Sequence, residues 1–172
     1  WTRISPDLTT NDPAKQKQEE SGGLSADNTS AENHCTIFTI TESPFDDKTI
    51  YVGTDDGNLQ VTTNGGQSWK NVSKAIAQTG VPAQTWISSI FASSHDPQMI
   101  FATLDNHMYG DHQTYVVVSR DGGTSWKRIT SPEFTGYAHK IVQDRINPSL
   151  YFLGTEMGLF ISIDGGENWF RM

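Results

Sequence analysis

An eight-residue motif occurs three times in this chain and constrains its fold more than any other feature. The motif has the pattern hydroxyl–x–Asp/Asn–Gly–Gly–x–polar–Trp, and its copies span residues 62–69, 119–126 and 162–169. Two adjacent glycines accept the positive φ angles that a tight hairpin turn requires. The Asp or Asn side chain can accept hydrogen bonds from N–H groups of its own turn, and the tryptophan buries a large ring. Each copy therefore predicts a turn between two antiparallel strands that is fixed to a core.

The motif positions are predicted to have a structural role. They are Asn64, Gly65, Gly66, Trp69, Asp121, Gly122, Gly123, Trp126, Asp164, Gly165, Gly166 and Trp169. The first copy has an asparagine where the other two have an aspartate. An amide oxygen accepts the same N–H bonds as a carboxylate, so we expect the first turn to form as well. Because the charge is dispensable there, we do not expect the motifs to bind metal ions.

Short apolar runs separated by turn residues surround each motif and indicate four strands per repeat. A four-stranded antiparallel unit that recurs at intervals of about 40 to 60 residues is typical of a β-propeller. We predict an all-β fold with about three four-stranded antiparallel blades of a larger ring. The predicted boundaries are 1–4 for the last strand of a preceding blade, 5–34 for a polar loop insert, and 35–72, 86–130 and 138–172 for the blades. Separate β-sandwich domains are the alternative, but they would not need the motif at the same phase each time.

Composition and charge exclude several classes of protein. The formal net charge of −8 argues against a nucleic-acid partner, which would need a basic face. The single cysteine, Cys35, cannot form an internal disulfide. There is no run of 18 apolar residues, so we predict no direct membrane insertion. Three blades do not close a ring, because propellers have about four to eight. The predicted partners are therefore other protein chains or the rest of a longer propeller.

The three motifs together resemble the Asp-box repeat, also called the BNR repeat, of bacterial neuraminidases. Residues 53–57 and 154–160 are also similar to segments of large secreted bacterial proteins with sortilin/Vps10-like propellers, which are often labelled glycosyl hydrolases. The resemblance covers the whole chain, and Asn64 is its departure from the aspartate of the family pattern. It implies a propeller fold and an extracytoplasmic location, whether periplasmic, cell-surface or secreted.

The charge imbalance falls mainly on one predicted face. In an up-and-down blade, the loops between strands 2 and 3 and the connections between blades share the face opposite the motifs. An acidic face of this kind attracts cations or basic partners. The candidate binding residues on this face are Asp55, Asp56, Asp105, His107 and Asp111. The alternative interpretation is that these acids only solvate long surface loops.

A short segment of the same face is rich in groups that can bind metals. Asp105, His107, Asp111 and His112 lie within eight residues, and carboxylates and imidazoles are ligands for calcium and zinc. Their spacing matches no known metal-binding loop. We therefore predict no cofactor, with a calcium or zinc ion as the alternative.

The resulting functional prediction is a non-catalytic propeller scaffold. It would bind a protein or peptide, or assemble into a larger extracytoplasmic complex, through the acidic face, and no catalytic residue is assigned. The alternative is part of a propeller glycoside hydrolase whose site is completed by blades not present here. That chemistry needs two carboxyl groups about 5–10 Å apart, which the acidic face could supply. A sialidase is disfavoured, because the few arginines fall mainly on predicted outermost strands.

Overall fold

The computed structural model describes residues 1–17 and 34–172 of the chain. Its regular structure in these residues is almost entirely β, and it consists of three four-stranded antiparallel sheets. Within each sheet the strands are adjacent in the order in which they occur in the sequence. The sheets correspond to the three predicted blades, and we call them blades A, B and C.

The strands have the following bounds. Blade A contains β1 (Ile37–Ser43), β2 (Asp46–Thr54), β3 (Leu59–Thr62) and β4 (Lys70–Asn71). Blade B contains β5 (Trp86–Ala92), β6 (Ile100–Asn106), β7 (Asp111–Ser119) and β8 (Lys127–Ile129). Blade C contains β9 (Ala138–Gln143), β10 (Tyr151–Thr155), β11 (Gly158–Ser162) and β12 (Phe170–Arg171). One short helix, α1 (Ser73–Ala77), follows blade A, and single 3-10 turns occur at Pro13–Lys15 and His107–Tyr109. No helix within the described ranges is long and apolar enough to cross a membrane.

The three motif turns share one hydrogen-bond pattern. The first hydroxyl of each motif accepts the N–H of the second glycine, at 2.9, 2.8 and 2.8 Å in chain order. The Asn or Asp side chain accepts the N–H of the residue four positions later, at 2.9, 2.8 and 3.0 Å. Both glycines of every motif have positive φ angles, between 68° and 93°. These bonds lie inside each motif, and Asn64 makes the same bond as the two aspartates.

The hydrophobic core lies between the blades, where facing sheets bury apolar side chains against each other. One cluster joins blades A and B and includes Val61, Val72, Ile100 and Val117. A second cluster joins blades B and C through side chains such as Phe101 and Phe160. The blades therefore hold one another in place through stacked sheet faces.

The N-terminal segment lies on the outer face of blade A. Residues 1–4 pair with no strand in the described residues. The Ile4 carbonyl accepts the indole N–H of Trp69 at 3.2 Å. Leu8 is buried there, and its carbonyl accepts bonds from the side chains of Asn58 and Gln60, each at 3.1 Å. With no strand beside it in the described residues, the segment is held by side chains rather than by ladder pairing. Of the predicted insert 5–34, residues 18–33 lie outside the described residues.

The motif aspartates have unusually low pKa values. Hydrogen bonds from the hydroxyl and N–H of Ser125 lower the pKa of Asp121 from 3.8 to about 2. Bonds from the N–H and side-chain amide of Asn168 lower the pKa of Asp164 to about 2. A carboxyl group whose folded-state pKa lies below its unfolded value adds stability above the unfolded pKa. That stability is lost as the pH falls from about 4 through about 2.

We expect Asp121→Asn to lower the melting temperature at pH 7 and to have little effect near pH 2. The asparagine keeps the N–H acceptor but lacks the charge, so it mimics the protonated aspartate. Thermal unfolding followed by circular dichroism between pH 2 and pH 7 measures this difference. Asn64→Asp is the reverse control and should raise the melting temperature at pH 7 more than at pH 2. An Asp121→Asn deficit of the same size at both pH values would show that charged hydrogen bonds are not its source.

Candidate binding face

The ends of the blades opposite the motifs bring several distant segments together. The loop after β2 approaches the connection that precedes β5, where a Cβ on Gly57 would lie 2.4 Å from Gln84 Cα. The loop after β6 meets the connection that precedes β9, through a stack of His107 on Tyr137. The turn after β10 joins the same region, because the N–H of Glu156 donates to the Tyr137 carbonyl at 3.1 Å. The acidic loops predicted to share a face therefore lie at one end of the sheets.

Asp55 and Asp56 are held by the chain itself. Asp56 is 1% exposed and accepts the N–H and hydroxyl of Thr10 at 2.6 and 2.7 Å, together with the hydroxyl of Thr54. Burial alone would raise the pKa of Asp56, but these hydrogen bonds outweigh it and the pKa is lowered. Asp55 accepts the N–H of Thr36 at 2.7 Å, and burial raises its pKa despite this bond. Asp56 therefore anchors the N-terminal segment and is not accessible to a partner.

Asp105 supports an accessible histidine. The buried Asp105 carboxylate accepts the N–H of His107 at 2.9 Å and contacts its ring Nδ1 at 2.7 Å. This contact occupies Nδ1 and leaves Nε2 as the remaining polar atom of the ring. The imidazole stacks on the Tyr137 ring at a centroid distance of 4.4 Å and an angle of 17°. Two more histidines surround this tyrosine, His139 at 5.1 Å and His112 at 6.1 Å.

The surroundings of Tyr137 disfavour its ionisation. Burial raises the pKa of Tyr137, and the carboxylates of Glu156 and Asp105 raise it further. The phenol is therefore neutral at physiological pH and available as a hydrogen-bond donor. Glu156 is exposed beside it. We call the group formed by His107, His112, Tyr137 and Glu156 the aromatic–acid patch.

Asp111 and the other candidate ligands do not form one metal site. Asp111 accepts the hydroxyl of Tyr115 at 2.7 Å and the side-chain amide of Asn106 at 3.1 Å. Burial and this carboxylate raise the pKa of Tyr115 to about 12. Asp105 is occupied by His107 instead, so the two carboxylates hold different groups. In the described part of the chain, no three His, Cys, Asp or Glu side chains are grouped in a way that could hold a metal ion.

The sequence interpretation missed Tyr137, which is the centre of the patch. Tyr137 lies in the connection before β9, thirty residues after His107 in the sequence. A tyrosine directly after Gly136 and two residues before His139, in a connection of the acidic face, was the available signal. Of the predicted binding residues, Asp55, His107 and Asp111 are partly exposed, whereas Asp56 and Asp105 are buried.

Comparisons with known proteins support the architecture. No family model matches the chain, and no curated protein matches it. An ancestral GH74 enzyme matches 81% of the chain with a TM-score of 0.64 and 26% identity, over 18% of its own length. The GH74 enzyme of Niastella koreensis matches 88% with a TM-score of 0.63 and 17% identity, over 24% of its length. YCF48 bound to D1 peptide matches 79% with a TM-score of 0.56 and 20% identity, over 40% of its length.

The chain has blades of the β-propeller fold. This confirms the predicted all-β architecture of about three four-stranded antiparallel blades. The chain spans less than half the length of each of these solved structures. At 17% and 20% identity, the likeness shows the fold alone. The neighbours also differ from one another, because two are GH74 enzymes and one is YCF48 with a bound peptide.

Proposed function

We propose that this chain is a non-catalytic propeller scaffold that binds a protein or peptide through the aromatic–acid patch. The observation that carries the proposal is the stack of His107 on Tyr137, held from behind by the buried carboxylate of Asp105. Tyrosines are enriched at protein interfaces because they combine apolar area with a polar tip. A rigid ring that is already oriented loses little conformational freedom when a partner binds.

The charge around the patch indicates a basic partner. Glu156 and Asp111 lie at its edge, and a net charge of −8 gives the whole chain an attractive field for cations. An arginine or lysine of the partner could stack on the Tyr137 ring while it pairs with Glu156. YCF48, whose structure with bound D1 peptide has the same fold, is an example of a propeller with a peptide ligand.

We also propose an extracytoplasmic location and a relationship to Asp-box proteins. The resemblance of the motifs to Asp-box repeats and to sortilin/Vps10-like secreted proteins supports an extracytoplasmic scaffold that works within a larger assembly. Asp55 and Asp56 are left out of the proposed contact surface, because both carboxylates bind backbone groups of this chain. A calcium or zinc ion remains an alternative that calorimetric titration would detect.

Charge reversal at the two ends of blade C tests the binding site. The probe is a fluorescent arginine- and lysine-rich peptide, whose binding is followed by anisotropy. We expect Glu156→Lys to weaken binding about tenfold, which corresponds to about 1.4 kcal/mol, and Tyr137→Ala to weaken it at least as much. Glu167→Lys makes the same charge change in the third motif turn, at the opposite end, and should weaken binding much less. Equal effects of the two reversals would show that the peptide responds to net charge and not to the patch.

A glycoside hydrolase is the second candidate function. It is supported by the ancestral GH74 enzyme, which has 26% identity over 81% of this chain. The raised pKa of Asp55 suits an acid catalyst, and the second carboxyl group would come from another acid of the same face or from blades not present here. Hydrolysis of any member of a panel of chromogenic glycosides, abolished by Asp55→Asn, would replace the scaffold proposal.

A further inference from the structure

Each of the first two blades buries the same four apolar positions against the blade that follows it. In blade A these positions are Tyr51, Leu59, Val61 and Val72, which belong to the cluster between blades A and B. In blade B they are Phe101, Val116, Val118 and Ile129, which belong to or pack against the cluster between blades B and C. Strand register establishes the equivalence, because Tyr51 pairs with Val61 as Phe101 pairs with Val118.

Blade C has apolar residues at all four equivalent positions. Phe152 pairs with Ile161 across β10 and β11, as the equivalent pairs do in the other blades. The N–H of Met172 donates to the Leu159 carbonyl at 2.9 Å, which repeats the 2.9 Å bond between Val72 and Leu59 in blade A. On blade C none of these side chains is buried, and Phe152 and Ile161 are partly exposed. Leu159 is 40% exposed and Met172 is 79% exposed, while Leu59 and Val72 are buried.

We propose that the open face of blade C, formed by Phe152, Leu159, Ile161 and Met172, is the docking surface for a further four-stranded blade of the same kind. This inference rests on the proposed role of the chain within a larger assembly. It adds that the open face of blade C is the one used, and it defines the side chains that the partner must have on its contact face. An apolar sheet face covers these positions in both interfaces between blades, with mainly aliphatic side chains from blade B and mainly aromatic ones from blade C.

A second copy of the same chain does not fit this surface. Val72 lies 3.8 Å from the Cβ position of Gly123, the second glycine of the next motif. On blade A the corresponding place is already taken, because the Ile4 carbonyl lies 2.2 Å from the Cβ position of Gly66. Met172 of blade C is equivalent to Val72 of blade A. If the partner were another copy of this chain, Met172 would therefore collide with the partner's Ile4.

The outer face of blade A is also less apolar than the faces that receive a blade. Val117 and Phe160 occupy equivalent positions on blades B and C and are fully buried. Blade A has Gln60 there, and its amide donates to the carbonyl of the covering Leu8. The partner blade should instead have an apolar side chain at this position, as blades B and C do.

The test extends the chain directly after Met172 with a second copy of residues 73–172, so that blade B and its connection follow blade C in register. The measured quantity is the rate at which a maleimide labels the variant Ile161→Cys, read at that site by mass spectrometry. We expect labelling in the extended chain to be at least 100-fold slower than in the 172-residue chain. Ile163→Cys, at an exposed position of the adjacent motif turn, should be labelled equally fast in both chains.

Lysine substitutions give a second readout. Val118→Lys places a charge in an existing interface and should lower the melting temperature of the 172-residue chain by about 10 °C or more. Ile161→Lys should be tolerated there and should become as damaging as Val118→Lys in the extended chain. This readout leaves the aromatic–acid patch unchanged, so its failure is separate from a failure of peptide binding.

Three outcomes would overturn the proposal. The first is fast labelling of Ile161→Cys in the extended chain. The second is failure of the added blades to fold onto blade C, seen as a melting temperature that is no higher in the extended chain than in the 172-residue chain. The third is slow labelling in the 172-residue chain together with a dimer mass in sedimentation, which would make a second copy the occupant.

Discussion

Replacing Trp169 with alanine is expected to lower the free energy of unfolding by about 3–5 kcal/mol, the usual cost of truncating a buried large aromatic residue. Trp169 is only 4% exposed. Its ring meets Phe134 at a centroid distance of 5.2 Å and Tyr151 at 6.4 Å, and its indole N–H donates to the Gly166 carbonyl at 3.1 Å. Alanine would leave a cavity in the cluster that joins blades B and C. Urea unfolding followed by circular dichroism measures the loss.

The same substitution at Trp69 is the matched control. Trp69 occupies the same motif position but is only half-buried, and its indole N–H donates to Ile4 of the N-terminal segment. We expect Trp69→Ala to cost about 1–2 kcal/mol, because less apolar area returns to water. Equal losses at the two positions would mean that the tryptophan stabilises its own turn and not the interface between blades.

The motif turns could be predicted because their interactions are local. The hydroxyl and the Asn or Asp side chain accept N–H bonds from within the same motif, and the N–H of the first glycine alone donates to a distant carbonyl, that of Lys48 in the first motif. The same locality explains why Asn64 replaces an aspartate without changing the turn. The repeated phase of the motif then predicted the number of sheets, because each turn joins the last two strands of one blade.

The role of Asp56 could not be predicted, because it depends on a distant part of the chain. Its carboxylate accepts two hydrogen bonds from Thr10, which is 46 residues away. The sequence shows an acid in a loop, and nothing near it indicates that the N-terminal segment covers it. The structure therefore reverses the interpretation of Asp56, from a surface contact to a buried anchor.

The aromatic–acid patch was only half predictable for a similar reason. Asp105 and His107 are two residues apart, so their contact is local and the sequence predicts both as binding residues. Tyr137 belongs to the connection into the next blade, and its contact with His107 depends on how blades B and C stack. Packing between blades thus decides which polar residues of the acidic face are accessible.

Replacing Gly57 with alanine is expected to cost about 2–5 kcal/mol of stability. A side chain on a left-handed backbone costs about 1–2 kcal/mol. Overpacking costs about 1–3 kcal/mol more. Gly57 has a φ of 87°, and a Cβ there would lie 2.4 Å from Gln84 Cα and 2.6 Å from its carbonyl carbon. These are backbone atoms of the connection into blade B, so the clash cannot be relieved by a change of rotamer.

Gly65→Ala separates the two contributions to this cost. Gly65 also has a positive φ, of 68°, but its Cβ position has no atom within 4 Å. Only the backbone contribution of about 1–2 kcal/mol is expected there, and urea unfolding of both variants gives the difference. A larger loss for Gly57→Ala would show that close contact between the loop after β2 and the connection before β5 holds this end of blades A and B together. Equal losses would mean that the connection moves away at little cost, and the acidic face would then be a set of independent loops and not one surface.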